Sequence, residues 1–459
     1  MKPYKDFIKH KKFLVSTEGF SPETAINPKL FPFQQEITKW AIQKGNAAVW
    51  ADCGLGKTPI QLEIAQKIVD HTGKPALILA PLAVSLQTQH EGEKFDIPVN
   101  ICKSHDDIAP GINIANYERC ERFDYSQLSI LGLDESSILK SYMGKIKQYL
   151  VNTAGPQVPY KFSFTATPAP NDHMELLNQA EFLGIMKSSM ALAIWFINKT
   201  NELGGYRLKK HAEKSFWEWV SSWAVYLNSP SDLGFEQDGF DLPELHVHDH
   251  EITMSMFDFD RDDGSFLRDV SLNATSYNRE KRHTLDARCT RTQEIVMGSP
   301  EKQFLIWVEL NDEGQALRKL IPEATEVRGS DKVEKKEQAA FDFINGKIRV
   351  LIAKPSMFGY GLNFQNCSDT IFCGLSFSYE KYYQAVRRFW RFKQTRPVTV
   401  HRVFGSSEKG ILRIVQQKET NHKLMQESMF GKLKDVQSKH FFKKHIVDDY
   451  ARNEAMMLP

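Results

Sequence analysis

Ala51-Asp52-Cys53-Gly54-Leu55-Gly56-Lys57-Thr58 joins a strand pattern to a helix pattern. The apolar run Ala47 to Trp50 before it reads as a buried strand, and Thr58 to Val69 after it reads as a helix. A glycine-bearing turn that leaves a strand and opens a helix lets backbone amides curl around phosphate oxygens, and the helix N-terminus adds partial positive charge. Lys57 is then placed to reach the β- and γ-phosphates of a nucleotide, and Thr58 to bind Mg²⁺. Ala51 stands where the general pattern has glycine, a minor departure.

Outward from this turn the same alternation continues. Ala76 to Ala80, Ile112 to Ala115, Ile130 to Leu133 and Phe162 to Phe164 are short apolar runs separated by helical or loop stretches. That pattern predicts a parallel sheet covered by helices. Ile130-Leu131-Gly132-Leu133 leads into Asp134-Glu135-Ser136-Ser137. Two adjacent carboxylates at a buried strand end call for a cation. Asp134 is expected to hold Mg²⁺, directly or through water, and Glu135 to orient and deprotonate an attacking water.

Met186 to Leu227 carries Trp195, Trp217, Trp219 and Trp223 at helical spacing and is expected to be a helical insert, its aromatics in the core. Ser229 to Pro243 reads as a linker. A second alternating region follows, with strands predicted at Phe304 to Val308, Val350 to Ala353, Thr370 to Cys373 and Val398 to Val403, and helices at Lys332 to Asn345 and Tyr379 to Trp390. The expected fold class is therefore α/β, two parallel-sheet lobes in tandem. The first lobe spans 1–240, with the insert at about 186–228; the second spans 241–425; a basic helical tail occupies 426–459.

Of the 459 residues 41% are hydrophobic and 25% charged, which argues for a folded chain and against disorder. The net charge of +2 leaves any nucleic-acid affinity to local basic surface. The six cysteines form no C-x-x-C pair, which predicts neither zinc nor disulfides and fits a cytoplasmic, reducing compartment. The lysine-bearing N-terminus is not expected to be a signal peptide, and no apolar stretch is long enough to span a bilayer.

With the phosphate turn and the acidic pair in place, further segments fall in order, and the chain resembles superfamily 2 helicases of the Swi2/Snf2-like kind. Phe31-Pro32-Phe33-Gln34 is similar to the adenine-recognising motif, which implies that Gln34 reads the base edge. Leu79-Ala80-Pro81-Leu82-Ala83-Val84 and Asn116-Tyr117-Glu118 resemble motifs Ia and Ib. Thr165-Ala166-Thr167-Pro168-Ala169-Pro170-Asn171 resembles motif III, where Thr165 and Thr167 would couple nucleotide state to the track. Phe358 to Gln365, including Gly361 and Asn363, resembles motif V; Gln384 to Gln394 resembles motif VI. The match runs from about Phe31 to Lys418, and the Asp-Glu-Ser-Ser box looks most like stand-alone DEAD/DEAH-type helicases of phages and prophages. Departures are Ser137 where the usual box has His, Arg387 for a common acidic residue, and Lys393 for a common Gly.

The resemblance implies RecA-like lobes, ATP with Mg²⁺ as cofactors, and DNA as the track, duplex favoured over single strands and over RNA. Gln384, Arg388 and Arg391, spaced i, i+4 and i+7, are expected on one helix face, the arginines acting as fingers on the transferring phosphate. Pro81, Tyr117 and Asn363 are expected among the nucleic-acid contacts. Arg207 to Lys210, Arg279 to Arg291 and Lys432 to Lys444 are basic supplements or plain solvated faces. His246, His248 and His250 fall on one face of a predicted strand, which reads as an exposed strand face or as a transition-metal site. Three functions follow: a DNA translocase, a strand-separating helicase on DNA or RNA in phage replication or recombination, and a nucleotide-gated scaffold without hydrolysis.

Overall fold

The structure is a computed structural model that describes residues 18–81, 84–140, 144–169, 172–198, 205–236, 239–253, 281–358, 363–376, 378–420, 423–424 and 427. It divides into two compact units, the second being Gly239–Asn421.

In the first unit, helix α1 (Pro32–Lys44) begins with proline in its first turn, where no N–H is needed. It leads into β1 (Asn46–Ala51), the phosphate turn and α2 (Lys57–Thr72). Strands β2 (Ala76–Ala80), β3 (Val99–Ile101), β4 (Ile112–Asn116), β5 (Ile130–Asp134) and β6 (Tyr160–Thr165) follow, with α3 (Ser85–Lys94) after β2. Helix α4 (Glu175–Phe182) comes next, and the insert region holds α5 (Ser188–Trp195), β7 (Phe196–Asn198), β8 (Tyr206–Leu208), α6 (Glu213–Ser221) and β9 (Ala224–Leu227).

The sheet order is β3-β4-β2-β5-β6-β1-β9, every pair parallel. Strands covered on both faces are apolar throughout, which is why Ala47 to Ala51 and Ala76 to Ala80 are all essentially inaccessible to solvent. The insert is not purely helical as expected. β7 and β8 form a short antiparallel ribbon, and Ala224-Val225-Tyr226-Leu227 joins the main sheet beside β1. A β-branched and aromatic run laid along a buried strand takes its partner's conformation, whatever the helical spacing around it. The insert's tryptophans are core, as expected. Trp195, Trp219, Trp223 and Trp50 are each at most 2% exposed, and their rings follow one another at 4.5, 5.4 and 5.4 Å.

The second unit repeats the plan. Strands β10 (Leu245–Ile252), β11 (Phe304–Val308), β12 (Thr325–Glu326), β13 (Val350–Ala353), β14 (Asp369–Cys373) and β15 (Val398–Gly405) lie in the order β10-β15-β14-β11-β13-β12, all parallel. Helices α7 (Leu285–Met297), α8 (Asn311–Leu320), α9 (Val333–Ile344) and α10 (Tyr379–Val386) separate them, and residues 409–420 are helical. The predicted tail, 426–459, lies outside the described residues except for residue 427. No helix among the described residues is long and apolar enough to cross a membrane.

One polar network crosses the core of this unit. Arg288, inaccessible to solvent, donates to Glu313 Oε1 at 2.7 Å, to Thr284 Oγ1 at 3.0 Å and to the Lys281 carbonyl at 2.7 Å, with Glu408 at 3.8 Å. Removing one member of a buried pair leaves the other charged and dry. Arg288→Ala is therefore expected to destabilise the protein by about 3–5 kcal/mol, read by urea unfolding; a loss near zero would show that the network contributes nothing.

Candidate nucleotide site

Three segments of the first unit end side by side because β5, β6 and β1 are neighbours. The register sets Asp134 against Phe164 and Thr165 against Trp50, so the carboxyl ends of all three strands open at one edge. In a parallel sheet that edge is where ligands bind.

The turn after β1 has the conformation the glycines were expected to allow. Gly54 has φ +93° and Gly56 φ +78°, left-handed values that L side chains rarely adopt. A Cβ at Gly56 would also lie 2.2 Å from Gln34 Nε2. Gly56 caps α2, a helix of 16 residues, so its first-turn amides and dipole face the turn. Lys57 Nζ donates to the carbonyls of Ala51 at 2.8 Å and Asp52 at 3.3 Å. Thr58 is the second residue of α2 and partly exposed. The first-turn amides of α2, an ammonium, a hydroxyl and the strand-end carboxylate of Asp134 are a donor set that fits a magnesium-bound triphosphate.

Glu135 follows β5 with φ +59°, an uncommon conformation for a residue with a side chain. Such strain costs about 1–3 kcal/mol and persists only where neighbours hold it, often at functional sites. Here the neighbour is Thr165: its hydroxyl donates to Glu135 Oε1 at 2.6 Å and accepts from the Thr167 amide at 3.0 Å. Short bonds to a carboxylate are among the stronger protein hydrogen bonds. The two motif segments expected to hydrolyse and to couple are thus joined by one contact.

Other predicted residues sit differently from expectation. Gln34 is buried, its Nε2 donating to the Leu55 carbonyl and its Oε1 accepting from the Phe31 amide, both at 3.0 Å. Both amide ends therefore hold the phosphate loop to the start of α1, rather than standing open to a base. Tyr117, expected at the nucleic-acid track, is 3% exposed and donates its hydroxyl to the Asp134 carbonyl at 2.8 Å. Burial, then the charges of Asp134 and Glu135, hold its phenol well above the usual range, so it stays a donor and supports the acidic pair from behind. Lys209 donates to the carbonyls of Ala193 and Ile194, and Arg288 is interior, so Arg288 adds nothing to a basic surface. Pro81 follows β2 directly and is partly exposed. Gly361, Asn171 and Lys432 to Lys444 lie outside the described residues.

In the second unit Gln384, Arg388 and Arg391 do not share one helix face, because α10 ends at Val386. The Arg388 carbonyl accepts from the Phe364 amide at 3.0 Å, and Trp390 Nε1 donates to the Pro243 carbonyl at 2.6 Å. These long-range bonds draw the chain into turns that a helix could not satisfy. Arg388 and Gln384 are buried, Arg391 and Asn363 partly so. Arg387 lies with its guanidinium 5.0 Å from the Trp390 ring centre.

The histidines of β10 pair with β15 at this unit's sheet edge. His250 Nε2 and His401 Nδ1 are 3.0 Å apart, and burial, then His250 and His248, lower the His401 pKa to about 4. Among the described residues no three His, Cys, Asp or Glu side chains are grouped to hold a metal ion.

Fold and site together define an α/β protein of two parallel-sheet units, the first carrying a glycine-bearing turn between strand and helix. Residues 287–393 match the helicase conserved C-terminal domain. Putative protein p41 of Acyrthosiphon pisum secondary endosymbiont phage 1 is 23% identical over 483 residues, spanning 88% of this chain and 98% of that protein. The Sulfolobus solfataricus SWI2/SNF2 ATPase core, solved in complex with dsDNA, matches at 16% identity over 91% of this chain and 96% of its own, with a TM-score of 0.42. Residues 287–393 of the second unit are thus similar to a helicase C-terminal domain. That supports a nucleic-acid-dependent, ATP-driven motor as its broad function.

Gln179 escaped the sequence reading. It lies on α4, outside any motif, and only the folded chain brings its side chain beneath the site.

Proposed function

We propose that the protein is a DNA translocase that hydrolyses ATP at the edge formed by β1, β5 and β6. The observation that carries this reading is the 2.6 Å bond from Thr165 to Glu135 beside the phosphate loop. Gly54, Gly56 and Lys57 bind the phosphates. Glu135, oriented by Thr165, takes a proton from the attacking water, and loss of the cleaved phosphate is felt at Thr165 and then at Thr167. Mg²⁺, held by Thr58 and Asp134, would neutralise phosphate charge. The motif VI resemblance implies that guanidinium groups of Arg388 and Arg391, with the amide of Gln384, would serve the transition state. Phosphate contacts from the motif Ia, Ib and V segments carry little sequence information, which suits a motor that moves over any sequence.

The test separates the three functions. A translocase is expected to displace the third strand of a DNA triplex with ATP while leaving a forked duplex paired. Unwinding of the fork would favour the strand-separating helicase. Activity on neither, with nucleotide still bound, would favour the scaffold.

A further inference from the structure

Gln179 is 1% exposed, and its amide bonds residues beside three segments of the nucleotide site. Oε1 accepts from Trp50 Nε1 at 2.9 Å, Ser163 Oγ at 3.0 Å and Ser136 Oγ at 3.3 Å. Nε2 donates to the Pro168 carbonyl at 3.0 Å. Trp50 is the next-to-last residue of β1, directly ahead of the phosphate turn. Ser136 follows Glu135, Ser163 lies on β6 two residues before Thr165, and Pro168 follows Thr167. One oxygen with two lone pairs serves three donors, so the two shorter bonds dominate and the Ser136 bond is the looser one. Buried polar networks with every member satisfied specify a single arrangement, whereas losing one member leaves several groups unpaired at once.

We propose that Gln179 is a positioning residue for ATP hydrolysis. It ties the strand under the phosphate loop, the acidic box and the motif III turn into one body, so that Thr165 stays on Glu135. This rests on the ATPase reading above. Gln179 touches neither phosphate nor water in this role; it acts through Trp50, Ser136, Ser163 and Pro168. Through Trp50 it also meets the ladder of Trp223, Trp219 and Trp195, which joins the insert to the floor of the site.

Gln179→Met keeps the length and volume and removes both polar ends; Gln179→Glu keeps an acceptor but sets an oxygen against the Pro168 carbonyl. In steady-state hydrolysis with saturating nucleic acid, Gln179→Met is expected to lower kcat about 10–100-fold with KM for ATP within roughly threefold of wild type. Gln179→Glu is expected to retain more of kcat. Hydrogen exchange of Gln179→Met without nucleotide is expected to speed up at residues 134–137 and 165–169 and to stay unchanged over the rest of the first unit. Wild-type kcat in Gln179→Met would overturn the proposal, as would exchange that is unchanged or that rises uniformly across the unit. If the wild-type protein hydrolyses no ATP on any nucleic acid, the ATPase reading fails on that count, and the exchange pattern still decides whether Gln179 ties the segments.

Discussion

Glu135→Gln is expected to bind ATP and to turn it over about 10²–10⁴-fold more slowly than wild type, the range over which a positioned general base contributes. The substitution keeps the shape of the side chain and an oxygen that accepts from Thr165, so the contact that defines the site survives. What it removes is basicity. Equilibrium binding of a fluorescent ATP analogue beside phosphate release separates the two effects. Binding near wild type with lost release assigns Glu135 as the base. Wild-type release would assign the proton to another group, and lost binding would mean that the left-handed backbone at Glu135 had failed to hold.

Lys57→Ala is expected to weaken nucleotide binding itself. A charge-assisted hydrogen bond contributes roughly 1.5–3 kcal/mol, so affinity should fall about ten- to a hundredfold, and turnover should become undetectable at ordinary ATP concentrations. Without nucleotide, Lys57 Nζ also holds the carbonyls of Ala51 and Asp52, so the turn loses a tie as well as a charge. Lys57→Arg restores the charge on a bulkier, planar head with different hydrogen-bond geometry, and should not restore turnover. The two variants differ in kind: one retains ligand without chemistry, the other loses ligand.

Much of this was legible in the residues because it is local. A buried strand, glycines and a lysine within a few positions predict a phosphate turn, and a strand ending in Asp134-Glu135 predicts an acidic edge. The core strands read from the sequence were found to within two residues at either end, since strands buried on both faces are mostly apolar. What stayed hidden depends on partners distant in sequence. β9 is a strand because β1 is beside it. α10 stops at Val386 because Phe364 and Pro243 bond to the turn beyond it, and so the arginines leave the helix face. Gln34 and Tyr117 have the residue types of ligand-facing groups, yet both are turned inward onto backbone carbonyls. Gln179 carries no local pattern at all, and its importance lies in four partners up to 129 positions away.

ATP hydrolysis by the wild-type protein, measured with duplex DNA, single-stranded DNA, RNA and no nucleic acid, bears most directly on the motor. A rate that rises many-fold with DNA, duplex above the others, is the predicted result. Equal rates in all four conditions, or no hydrolysis in any, would contradict it.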